Sequence, residues 1–426
     1  MSIKSFIVFV LGMGFVVVGS PSFGASQECL RYYGVVSTAS SSQLPWLHFP
    51  KLEVHPRVSA KPDGTTVLTA VKSDSEVLAS SINYLANLFF KRPLRLHEAD
   101  QVTRSFTQDT TGDPTYVRLA RAFRIGLGID MKSLRDKIPL TGALLIVANH
   151  PKNGSEAIAI AASISMIRSD VKFVVTELLE DFPGIQGNAI FTNPYGGMDA
   201  RKRNAQSFSE MTTHLNEGKV LIIFPSGQVS AKANLNDSIA FDRPWRMGIY
   251  RLMKQNPSVQ IVPFYVSAVA SQTFYKISMM KNPKLRNALA SLQHVREMVN
   301  NVGQTITMAA GAPMLARDVL EKMDSDPERM LSYLRALTYS LGGRLETKQT
   351  QGGPDISQLE GLSDVSKAIV VRYYQSHEQN SEWHTSVIKT QIDAEIDILV
   401  GEIRSREELA TIISYIEDRP VNAFLN

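Results

Sequence analysis

Between Thr115 and Gly342 the chain alternates short, continuous, β-branched apolar runs with amphipathic stretches. No other feature restricts the fold as much, because a strand that is apolar on both faces must be covered on both faces. Residues 143–148, 171–176, 220–224, 259–266 and 305–309 read as buried strands, and 157–167, 204–215 and 245–254 as helices between them. The pattern predicts an α/β fold with a largely parallel central sheet covered by helices, and places functional groups at the carboxyl ends of the strands. N-terminal and C-terminal helical extensions flank this region.

Four segments divide the chain. Residues 1–25 join Lys4, an apolar run from Phe6 to Gly19 and the small residues Ser22 to Ser26, which is the grammar of a signal peptide. The run falls short of the roughly 20 apolar residues that cross a bilayer, so a tilted membrane anchor is the alternative. Residues 37–112 read as a linker and N-terminal helical region, with a turn at Pro62-Asp63-Gly64 and a β-prone run from Thr65 to Val71. There Leu78, Ile82, Leu85, Leu88 and Phe89 recur at helical spacing before Lys91-Arg92, a face suited to core packing or to a membrane surface. Residues 115–345 hold the alternating pattern. After Gly352-Gly353-Pro354, residues 355–426 read as a helical extension, with Ser405 and Glu408 forming a capping box.

Charge and cysteine usage exclude several classes. The formal charge of +4 arises from 45 basic and 41 acidic residues, too balanced for a surface that tracks nucleic acid. One cysteine, Cys29, rules out an intrachain disulfide framework and a cysteine-rich zinc site. Neither a Gly-x-Ser-x-Gly elbow nor a His-Glu-x-x-His motif occurs, which disfavours a serine lipase and a zinc hydrolase. No metal is expected.

Chemistry concentrates in four islands. Ile146 to Glu156 is a strand that ends at Asn149-His150, turns through Pro151-Lys152-Asn153-Gly154 and opens a helix at Ser155-Glu156. A neutral imidazole accepts a hydroxyl proton near neutral pH, and a carboxylate beside it fixes its tautomer. Phe224-Pro225-Ser226-Gly227-Gln228-Val229-Ser230 is a tight loop after a strand, whose N–H groups and hydroxyls suit an anionic headgroup or an oxyanion. Phe191-Thr192-Asn193-Pro194 precedes Arg201-Lys202-Arg203-Asn204, where cations at a helix start suggest a phosphate site or a solvated face. Ile261-Val262-Pro263-Phe264 is a strand end suited to a pocket wall.

In that order, Asn149-His150, the Phe191 segment, Phe224-Pro225-Ser226-Gly227 and Val262-Pro263 resemble the four blocks of the lysophospholipid and glycerol-phosphate acyltransferase superfamily. Asn-His-Pro-x-x-Gly, Phe-Pro-Ser-Gly-x-x-Ser, Asp242 to Trp245, Ser271 to Phe274, Leu285-Arg286 and Leu334-Arg335 to Tyr339 are closer to its haemolysin-like branch, which resembles lyso-ornithine-lipid acyltransferases. The resemblance implies acyl transfer from a thioester, acyl-ACP or acyl-CoA, to the hydroxyl of a lysolipid or glycerol-phosphate-like acceptor. The thioester is a co-substrate and no cofactor is implied. The expected partners are membrane lipids and acyl carrier protein or coenzyme A thioesters, with neither nucleic acid nor metal. The expected location is membrane-associated, of the bacterial inner-membrane type, with export or a periplasm-facing position left open by the leader.

His150 and Glu156 are the expected catalytic pair. Asn149, Lys152, Arg201, Arg203, Ser226, Gly227 and Ser230 are the expected substrate-binding set. The sequence departs from the superfamily pattern in three places. The acid that commonly follows the histidine after four intervening residues is replaced by Ser155, with Glu156 one further; Ser226 stands where Glu is common; and Pro194 falls where an Arg commonly ends the second block. Two other readings stand beside acyl transfer: a noncatalytic lipid-binding protein, and an extracytoplasmic transacylase or hydrolase acting on phospholipids.

Overall fold

The computed structural model describes residues 52–346, apart from short stretches at 62, 181, 183, 194–197, 233–234, 236–239, 241, 282 and 324. The leader at 1–25, the extension at 355–426 and Pro194 lie outside the described residues. Two compact units divide the described residues, one holding Leu52–Val58 with Val67–Pro93, the other Ser59–Thr66 with the described residues from Leu94 onward.

In the first unit, strands β1 (Leu52–Ala60) and β2 (Thr66–Ser73) pair in a two-stranded sheet, and helix α1 (Glu76–Phe90) follows. Two asparagines on α1 satisfy the backbone of β2. Asn87 accepts from the Leu68 N–H at 2.8 Å and donates to its carbonyl at 2.6 Å, and Asn83 accepts from the Ala70 N–H at 2.7 Å. The edge that a hairpin leaves open is thereby capped by side chains. The helix agrees with the apolar spacing, but the side chains of Leu78, Leu85, Leu88 and Phe89 lie outside the described set. No helix among the described residues is long and apolar enough to cross a membrane.

The second unit is built on an eight-stranded sheet of order β3-β9-β8-β4-β7-β5-β6, with the two-residue β10 (Met314–Leu315) pairing onto β8. Its central members are β4 (Leu144–Ala148), β5 (Val171–Thr176), β6 (Ala189–Thr192), β7 (Val220–Ile223) and β8 (Gln260–Ser267). All five run parallel. The reversed members are β9 (Thr305–Ala310) and β10, both antiparallel to β8, and β3 (Gly126–Gly128), parallel to β9. The α/β sheet is therefore mostly parallel, as the continuous apolar runs predict.

Alternation along β4 shows why those runs are apolar throughout. Leu145 and Val147 enter one core with Trp245, Leu252, Ile261 and Leu334. Leu144, Ile146 and Ala148 enter the other, with Leu119, Ile158 and Phe264. All five β4 side chains are fully buried, and removing one such Leu or Ile would cost about 2 to 5 kcal/mol. Helix α5 (Ser155–Ser165), which leaves the end of β4, is small along much of its length. Ala159, Ala161 and Ala162 are buried against α3 (Thr115–Ala122) and its neighbours.

The remaining helices are α2 (Leu96–Gln108), α4 (Met131–Lys137), α6 (Met198–Asn216), α7 (Gly248–Gln255), α8 (Gln272–Ser278), α9 (Pro283–Asn300), α10 (Ala316–Lys322) and α11 (Pro327–Glu346).

Candidate functional site

His150 stands two residues beyond the carboxyl end of β4 and is only partly buried. Its Nδ1 lies 2.8 Å from Glu156 Oε1. Glu156 is fully buried in the first turn of α5. Two features bend the chain so that these groups meet: Asn153 takes the left-handed conformation at φ 66°, and Gly154 lies at φ 124°. With that curvature the N–H groups of Lys152 and Asn153 donate to Glu156 Oε1 at 2.8 and 2.9 Å, and Gly154 N–H donates to Oε2 at 2.7 Å. The carboxylate thus sits in a concavity of successive amides. Ser155 faces elsewhere: it is buried, and its Oγ accepts from Asn301 Nδ2 at 3.0 Å. The extra loop residue and the extra methylene of Glu together bring the acid, and not the serine, to the imidazole.

Burial pushes the Glu156 carboxyl up, but the hydrogen bond and charge of His150 and the loop amides outweigh it and hold the group below the usual glutamate range. An ionised carboxylate accepts only, so Nδ1 carries the proton and Nε2 of a neutral imidazole holds the lone pair. Nε2 has no partner among the described residues. The ring stacks on Phe224, with centroids 4.0 Å apart and planes 11° from parallel. This side chain connects the two main islands, since Phe224 opens the loop that follows β7.

That loop is fastened to the His150 segment through a buried carboxylate. Asp242 Oδ1 accepts from the His150 N–H at 3.1 Å and from Ser230 Oγ at 2.6 Å, and Oδ2 accepts from Trp245 Nε1 at 3.0 Å. The Asp242 N–H donates to Tyr339 Oη at 2.7 Å, and Arg335 donates to its carbonyl at 2.5 Å. Burial raises the Asp242 carboxyl above its ordinary range against these hydrogen bonds. Ser230 N–H donates to the His150 carbonyl at 2.8 Å. The loop and the histidine therefore share one framework.

The other expected site residues fall into distinct environments. Asn149 is buried and completes the sheet, donating to the Val266 carbonyl at 3.0 Å and accepting from its N–H at 2.7 Å. Ser226 is buried with Oγ donating to the Gln228 carbonyl at 2.6 Å, and Ser230 is committed to Asp242. Gly227 N–H donates to the Phe224 carbonyl at 3.0 Å, closing the turn, whereas the N–H groups of Ser226 and Val229 have no partner among the described residues. Lys152 Nζ donates to Gln304, and burial lowers its pKa against the pull of Glu156 and Glu297. Arg201 is exposed on α6, while Arg203 pairs with Glu180 at 3.1 Å. The charge of Arg203 at this helix start is therefore met by a carboxylate.

The sequence does not single out His294. It lies beside the site: its Nδ1 bonds Asn153 Oδ1, and burial together with the neighbouring His150 pushes its pKa down to about 4. Nothing local in the sequence marks it, because α9 joins the site from far along the chain. Among the described residues no cluster of three His, Cys, Asp or Glu side chains suits a metal ion.

A histidine held by a buried carboxylate at a strand end of an α/β sheet, with Nε2 unengaged, is equipped to move a proton. A family model described as Acyltransferase matches residues 71–347, and the chain belongs to this family and is an acyl-transferring enzyme. No curated protein matches the chain.

Proposed function

We propose that the protein transfers a fatty acyl group from a thioester, acyl-ACP or acyl-CoA, to the hydroxyl of a lysolipid or glycerol-phosphate-like acceptor at a membrane. The 2.8 Å contact between His150 and Glu156 carries this reading. His150 Nε2 takes the acceptor's O–H proton as the oxygen attacks the thioester carbonyl. Glu156 stabilises the imidazolium so formed. The unengaged N–H groups of Ser226 and Val229 are the candidates for receiving the oxyanion. Collapse breaks the C–S bond, and the departing thiolate takes the proton from the imidazolium, leaving an ester and a free thiol. No acyl-enzyme is needed. The motifs shared with the haemolysin-like branch favour a lyso-ornithine-lipid type of acceptor, and the apolar spacing of α1 favours attachment to a lipid surface.

The test is purified protein with oleoyl-CoA and a panel of lysolipids, scored by mass spectrometry for acylated product and by thiol release. Product and thiol appearing in equal amounts, both lost in His150→Ala, is the expected result. Thiol or fatty acid release with no acylated lipid would identify a hydrolase and overturn transfer. Lysolipid binding without turnover of any thioester would identify a binding protein.

A further inference from the structure

We infer that Arg246 is the anion-binding residue of this site, holding a phosphate group of one of the two substrates. The inference rests on the acyl-transfer reading and adds to it the chemical class that the site recognises. Arg246 was not among the cations that the sequence pattern singled out, and three observations bring it forward.

The first is its mounting. Trp245, its neighbour, is buried and tied through Nε1 to Asp242, and the Arg246 N–H donates to the Pro225 carbonyl at 3.0 Å. The same Asp242 carboxylate receives the His150 N–H. One buried carboxylate therefore sets the positions of the base and of the residue before Arg246.

The second is the packing of the guanidinium. Gly227 adopts φ 62°, and a Cβ there would lie 3.1 Å from Arg246 Cζ and Nε and 3.3 Å from Nη1. The charged group rests on the bare backbone of the Phe224–Ser230 loop, whose first residue stacks on His150 and whose last is bonded to its carbonyl. Gly227 is thus required twice, for its backbone conformation and for the approach of Arg246.

The third is the absence of a counter-charge. The Arg246 side chain is exposed and makes no hydrogen bond or ion pair with any described residue. Arg203, the cation favoured from the sequence, has Glu180. A planar guanidinium with five donors matches a phosphate bidentately. Held on the loop whose Phe224 stacks on the proton acceptor, it suits the phosphate of a phosphorylated lysolipid acceptor or a phosphate of the thioester donor.

Kinetics of the full-length enzyme with matched probes separate the two sources. The acceptor pair is 1-oleoyl-glycerol 3-phosphate and 1-oleoyl-glycerol; the donor pair is oleoyl-CoA and the phosphate-free oleoyl-N-acetylcysteamine. For one phosphate-bearing member, Arg246→Gln is expected to raise KM about tenfold or more, while its phosphate-free counterpart stays within about twofold. The affected pair identifies whose phosphate is held. Gly227→Ala should reproduce the pattern by displacing the guanidinium, and Arg246→Lys should recover part of it. Arg251→Gln, which removes an exposed charge from helix α7 a few residues beyond Arg246, should change neither pair.

Equal losses on phosphate-bearing and phosphate-free members would mark a structural role and overturn the inference, as would no loss on either. If the wild type transfers no acyl group, the functional reading fails by itself. Calorimetric titration of wild type and Arg246→Gln with 1-oleoyl-glycerol 3-phosphate and with coenzyme A then decides the anion site separately: loss of binding to either in the variant supports it, and equal binding overturns it.

Discussion

The two ends of the parallel sheet carry similar residue types and opposite chemistry. At the amino end of β5 and β7 lies a cavity of about 300 Å³ lined by Asp170, Lys172, Glu210, His214, Glu217 and Lys219 among others. Its charges are consumed locally. Lys172 pairs with Glu210 at 2.7 Å, Lys219 with Glu217 at 2.5 Å, and Asp170 with Arg168 at 2.5 Å; His214 Nε2 bonds the Val220 carbonyl at 2.9 Å. At the carboxyl end of β4, Glu156 is equally satisfied, but among the described residues His150 Nε2 is left open and Arg246 has no carboxylate partner. A hollow with titratable groups is therefore not enough to make a site. What distinguishes the carboxyl end is hydrogen-bonding and charge capacity that the fold holds in place and does not use.

That contrast breaks if His150 proves dispensable. His150→Ala should lower turnover by about 10² to 10⁴-fold, equivalent to roughly 3 to 5 kcal/mol of barrier, with an unchanged circular dichroism spectrum. Near wild-type kcat in the purified variant would dismiss the base.

A smaller loss, concentrated in kcat, is expected for Glu156→Gln, because an amide still orients the imidazole but no longer offsets its positive charge. Thermal melts sharpen the point. Glu156 titrates below its ordinary value, so its stabilising contribution is complete above about pH 4.5 and disappears as the pH falls through the lowered value. The variant should lose that acid-side slope. Ser155→Ala, which breaks only the bond to Asn301, should cost about 1 kcal/mol of stability and little turnover. The reverse ranking, with Ser155→Ala inactive and Glu156→Gln active, would reassign the orienting group.

The smallest effect on chemistry is expected at the opposite end. His214→Gln should leave turnover within about twofold, as surface and structural positions remote from a reaction centre do. Burial lowers the His214 pKa from 6.5, so below that pH the unfolded chain binds the proton more readily and the wild type loses stability. The variant should lose less between neutral and acidic pH in a melting series. A large fall in kcat would join the two ends of the sheet functionally and remove the distinction between them.

Much of this arrangement is legible in the sequence because it is local. The apolar runs of β4, β5, β7 and β8 reveal themselves through continuous burial, and their observed bounds differ from the predicted ones by at most a residue or two. Asn149-His150 to Glu156 and Phe224 to Ser230 stand out because a histidine or a glycine turn directly after a buried strand is placed by the strand itself. The sequence marks β6 as a binding segment and not as a strand: Ala189-Ile190-Phe191-Thr192 has only two large apolar residues, whereas β7, of the same length, is Val-Leu-Ile-Ile. The reversal of β9 was invisible for a related reason, since strand direction depends on the path of α9 and not on the composition of the strand.

The sequence by itself determined the α/β class, the strand that ends at His150, and the presence of a carboxylate within reach. Tertiary structure alone decided which acid reaches the imidazole, because that depends on the left-handed Asn153 and the curvature at Gly154. It also decided that Asn149 completes the sheet, that Arg203 is paired with Glu180, that Asp242 and His294 bond the His150 loop, and that Arg246 rests on the Phe224–Ser230 loop. These outcomes rest on contacts between segments about 20 to 141 positions apart. Hydrogen bonds and ion pairs depend on distances of a few ångströms in space, and sequence separation does not encode them.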